Sequence, residues 1–145
     1  MTKYILGFTI LRSYEVMKKQ YLITREQLDR VVANYLDEKM RGGRVKAVRN
    51  QYAKSSMLNA FITPDDKVLF ILFEWGESWD DDDFIPHNEL SIDESLVDFL
   101  SKYIYIRKHK VIDIISDWFH ETYDFDFDGV GTSNSLKNIV SGWEK

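Results

Sequence analysis

The run Val68-Leu-Phe-Ile-Leu-Phe73 constrains this chain more than any other segment. It has no polar residue to mark an outer face, so as a strand it must be covered on both sides, which places it centrally in a sheet. Six residues fall far short of the roughly 20 that a membrane-spanning helix requires. Just upstream, Thr63-Pro64-Asp65-Asp66 carries turn chemistry, with proline at the second position of a type I turn. The pattern therefore predicts a hairpin joining Met57–Ile62 to Val68–Trp75. Arg44–Asn50 reads as a further extended segment, and Tyr4–Leu11, rich in β-formers, as an N-terminal core strand.

Helix signals flank these strands. Thr24 with Gln27 three residues later forms a capping box, and Ile23 can staple onto Leu28. Leu28, Val31, Val32, Tyr35, Leu36 and Met40 recur at helical spacing before Gly42-Gly43 stops the helix. Ser91-Ile-Asp-Glu94 matches a second capping box, opening a helix with Leu96, Val97, Phe99, Leu100, Tyr103 and Ile104. After a break around Arg107–Lys110, a third helix turns Val111, Ile112, Ile115, Trp118 and Phe119 inward. Gly129 to Lys145 reads as a glycine-rich turn followed by a short helix with Leu136, Ile139, Val140 and Trp143. The segment from Gly76 to Asn88, with Pro86 and a block of aspartates, reads as a polar acidic loop.

Strands first and helices later point to an α+β fold. The expectation is an antiparallel sheet (N-terminal strand, helix, hairpin) packed against two to three C-terminal helices. At 145 residues, with 44% hydrophobic and 14% aromatic residues, the chain can bury a core of its own and is expected to form a single domain, 1–145. Cysteine is absent, which removes disulfides, thiolate metal sites and cysteine nucleophiles, and fits a reducing cytoplasm. No membrane partner is expected, and neither the apolar start nor the central run reads as a leader or a membrane span.

Charge is divided unevenly. Residues 1–60 hold 12 Lys/Arg against 5 Asp/Glu, and residues 61–145 hold 7 against 19. The basic part concentrates in Lys39, Arg41, Arg44, Lys46, Arg49 and Lys54, with Tyr52 among them. Lys and Arg neutralise phosphates and an aromatic can stack on a base, so Arg41, Arg44, Lys46, Arg49, Tyr52 and Lys54 form a candidate nucleic-acid surface. The acidic part has two foci. Glu77, Trp79, Asp80, Asp81, Asp82, Asp83 and Phe84 combine the densest charge in the chain with flanking aromatics. Four adjacent carboxylates repel one another, so a positive surface is the environment that would favour them.

The second focus is Asp124, Asp126 and Asp128, alternating with Phe125 and Phe127. With Gly129 they match positions 1, 3, 5 and 6 of an EF-hand calcium loop, but Ser135 stands where position 12 needs a bidentate Glu. As a strand, the same residues would turn their phenylalanines inward and space the carboxylates about 6.6 Å apart, close to the phosphate spacing of a nucleic-acid strand. Asp113, Asp117, His120 and Asp124 share one helix face and read as solvated, while His87 and His109 fall in loops. No P-loop, nucleophile elbow, zinc-protease motif or dinucleotide fingerprint is present. We therefore assign no catalytic residue, no cofactor and no metal. The expected activity is that of a non-enzymatic acidic interaction protein, of the inhibitor or immunity type, which occupies the basic site of a nuclease or other nucleic-acid-handling protein. The alternative is nucleic-acid binding through the basic segment.

Overall fold

A computed structural model describes residues 24–49, 56–80 and 83–144, with the backbone alone at 77–80 and 83–86. The expected strand Tyr4–Leu11, together with Ile23, Tyr52, Lys54, Asp81 and Asp82, lies outside the described residues. The elements are α1 (Arg25–Met40), β1 (Arg44–Arg49), β2 (Met57–Ile62), β3 (Val68–Asp80), β4 (Asp83–Asp93), α2 (Glu94–Ile104), α3 (Lys108–Tyr123), β5 (Gly129–Ser133) and α4 (Leu136–Glu144). This is the α+β fold expected. By contact the elements divide into a helical unit of α1, α2 and α3 and a sheet unit of β1–β5 and α4.

In the helical unit, α1 starts at the predicted capping box. The Thr24 amide donates to Gln27 Oε1 at 2.9 Å and the Gln27 amide donates to Thr24 Oγ1 at 3.2 Å, satisfying two amides that the first turn leaves unpaired. Gly42 ends the helix in the left-handed region, at φ 76°, where a side chain would be strained. Leu28, Val32 and Leu36 are buried, as are Leu96, Val97, Leu100 and Ile104 of α2. On α3 the buried set is Val111, Ile114, Ile115, Trp118 and Phe119; Ile112, expected inward, is half-buried. Trp118 Nε1 donates to Asp37 Oδ1 at 2.8 Å, tying α3 to α1, and Tyr35 of α1 stacks on Phe99 of α2 with ring centres 5.4 Å apart. The break between α2 and α3 is Tyr105–Arg107, with Tyr105 left-handed.

In the sheet unit the strand order is β1-β2-β3-β4-β5, so the doubly apolar β3 is central, as its sequence demanded. The β2–β3 hairpin turns where expected: Thr63 O accepts from the Asp66 amide and the Thr63 amide donates to Lys67 O, with Asp66 left-handed at φ 69°. This is a three-residue hairpin loop with a left-handed third residue. On one face Leu58, Ala60 and Ile62 of β2 and Val68 and Ile71 of β3 receive Leu136 and Val140 of α4, with Phe73, Ile139 and Trp143 packed at the margin.

Three expectations are corrected. Gly76–Asn88 is not a loop, since most of it belongs to β3 and β4. Ser91 is not a helix cap, because it lies in β4 opposite Ile71 and Gly131, and α2 starts at Glu94. Gly129–Ser133 is not a turn but β5, parallel to β4 in an otherwise antiparallel sheet. A parallel neighbour needs a long crossover, and the chain from β4 to β5 contains α2 and α3.

Candidate interaction surface

Register defines the most distinctive feature of the sheet unit. The β2–β3 ladder ends at the pair Met57 and Glu74, and the β4–β5 ladder begins at Glu89 and Gly129. Beyond these points Trp75–Asp80 and Asp83–His87 have ladder partners only in each other among the described residues, through Trp75–His87, Gly76–Pro86, Glu77–Ile85, Ser78–Phe84 and Asp80–Asp83. At about 3.4 Å per residue this is a two-stranded arm roughly 20 Å long. Pro86 is compatible with it because, among the described residues, β4 has a ladder neighbour on one side alone at that point.

The arm ends in the aspartate block. Asp80 and Asp83 form its last pair, and Asp81-Asp82 join them as a two-residue connection outside the described residues. Glu77, Trp79, Asp80, Asp83 and Phe84 of the predicted acidic site thus stand on paired strands. Between Lys67 and Lys102 the sequence holds ten Asp and Glu and no Lys or Arg, so no cation close in sequence offsets them.

The root of the arm is fixed by residues the sequence did not mark. The Trp75 and His87 rings stack with centres 5.5 Å apart, and His87 Nδ1 lies 3.0 Å from Asp128 Oδ2. Asn88 Nδ2 donates to Asp126 O at 2.8 Å, and the Asp128 amide donates to Asn88 O at 2.7 Å. His87 is therefore in a strand with two partners, and His109 lies in the first turn of α3; neither is in a loop. The pairing of Asn88 and His87 with residues 126 and 128 brings Asp126 and Asp128 of the second acidic focus beside the arm's base.

That focus is not a strand. Asp124 ends α3 in the left-handed conformation with its amide bonded to His120 O at 2.9 Å, and β5 begins only at Gly129. The even 6.6 Å row expected from an extended chain does not form. The alternation in burial does: Asp124, Asp126 and Asp128 are exposed while Phe125 and Phe127 are half-buried. Among the described residues, no group of three or more His, Cys, Asp and Glu side chains is placed to hold a metal ion.

The basic segment divides between a turn and an edge. Arg41 follows α1, and Arg44, Lys46 and Arg49 lie on β1, an edge strand of the sheet among the described residues. Arg44 Nη2 meets Asp66 Oδ1 at 2.6 Å and Lys46 Nζ meets Glu144 Oε1 at 2.7 Å. Hydrogen bonding from Arg44 holds the Asp66 carboxyl below the usual carboxylate range, and the Thr63 hydroxyl does the same for Asp65. The internal partners of Arg44 and Lys46 thus lie outside both acidic foci.

In the helical unit a cleft of about 300 Å³ opens between α1 and α3, with Ala33, Ile114 and Trp118 beneath Glu26, Asp29, Asp117 and Glu121. Two of its lining carboxylates meet Arg25, Asp29 at 2.7 Å and Asp117 at 3.5 Å. No described helix is long and apolar enough to cross a membrane. Compared with known proteins, the chain matches no family model, no curated protein and no solved structure.

Proposed function

We propose that the protein is a non-enzymatic acidic interaction protein that works in the cytoplasm, using the β3–β4 arm to occupy the basic site of a nuclease or another nucleic-acid-handling protein. The observation that supports this reading is the β3–β4 stretch beyond Glu74, which among the described residues pairs only with itself and carries Asp80 and Asp83 as its last pair, with Asp81 and Asp82 between them in sequence. Concentrated negative charge on a narrow element suits entry into a positively charged cleft, where complementary potential accelerates encounter and flanking aromatics such as Trp79 and Phe84 supply anchors. The exposed residues Asp126 and Asp128 add to the same negative region near the arm's base.

The test is a binding panel of purified basic nucleases and DNA-binding domains, with a short DNA duplex as competitor. The expected result is salt-sensitive binding that the duplex displaces and that D80N/D81N/D82N/D83N removes. Binding untouched by those substitutions, or no displaceable binding across the panel, would overturn the reading. So would retention of a labelled oligonucleotide that depends on Arg41, Arg44, Lys46 and Arg49, which would mark the basic segment as the functional surface.

A further inference from the structure

No further inference is drawn: the strongest candidate, the cleft between α1 and α3 lined by Glu26, Asp29, Asp117 and Glu121, is an acidic cluster whose Asp29 and Asp117 already meet Arg25, and nothing in the structure shows what would occupy it.

Discussion

Leu136→Ala reports directly on how α4 completes the sheet unit. Leu136 is 2% exposed and packs with Leu58, Ala60, Ile62, Val68 and Ile71. Truncation removes three carbons, worth about 0.8 kcal/mol each in transfer free energy, and leaves a cavity whose cost adds to that sum. The expected loss is about 3 kcal/mol, within the roughly 2–5 kcal/mol seen for buried leucines. α4 is nine residues long and too short to persist as a helix once detached. Of its side chains Leu136 and Val140 alone are buried, so removing one of them endangers its attachment. Urea unfolding followed by circular dichroism provides the number, and Lys137→Ala, an exposed neighbour, is the control, expected to stay within about 0.5 kcal/mol of wild type. In a chain of this size about 3 kcal/mol corresponds to a melting temperature lower by roughly 6–12 °C. A loss below about 1 kcal/mol for Leu136→Ala would mean that the leucine is not in the core, and the account of α4 would fail.

Two further outcomes follow from the geometry of the turns. A Cβ at Gly43 would press onto the Ile62 carbonyl oxygen and stand 3.1 Å from Met40 O, so Gly43→Ala should destabilise by about 2 kcal/mol in the same urea assay, because backbone cannot yield as a side chain can; a variant as stable as wild type would show that β1 does not join β2 as described. Asp65 and Asp66 should titrate below the ordinary carboxylate range in a carboxyl NMR experiment, through Thr63 and Arg44 respectively. Because both are depressed in the folded state, their stabilising effect is present at neutral pH and is lost as pH falls through the carboxylate range toward the depressed values. Arg44→Gln should move Asp66 up and leave Asp65 in place; parallel movement of both would contradict the assignment.

The parts of the fold legible in the sequence are those fixed by local chemistry. The Thr24–Gln27 box and Gly42 bounded α1, and the Thr63–Asp66 turn bounded the β2–β3 hairpin, because capping and turn preferences act within a few residues. The helical spacing of α2, α3 and α4 was readable, but not every inward residue: Phe99, expected in the apolar set of α2, is 46% exposed, Tyr103 is half-buried, and on α3 Ile114 takes the buried place expected for Ile112. Elements fixed by their neighbours were not readable. Gly76, Asp80, Asp83 and Pro86 have low strand preference, yet the pairing of β3 with β4 holds their backbone extended, and strand preference yields readily to such context. A signal for β4 was present: Glu89-Leu90-Ser91-Ile92 alternates with period two, and Leu90 and Ile92 are fully buried. The capping-box match of Ser91 with Glu94 overlaid it. Gly129 and Gly131 likewise looked like a turn, though both lie in a strand paired with β4. For the candidate site, composition located the charge correctly along the chain, but the arm that carries Asp80 and Asp83 and the His87–Asp128 contact at its root depend on pairing between distant residues.

The central claim is that the aspartates at the tip of the arm steer the protein onto a basic site. The most direct measurement is the association rate, by stopped flow at several salt concentrations, with a panel nuclease or DNA-binding domain that wild type binds. Wild type should associate quickly at low salt and slow steeply as salt is added. D80N/D81N/D82N/D83N should associate about tenfold more slowly at low salt, with a much flatter salt dependence, since electrostatic complementarity acts chiefly on encounter. Equal rates and equal salt slopes for the two proteins would contradict the account.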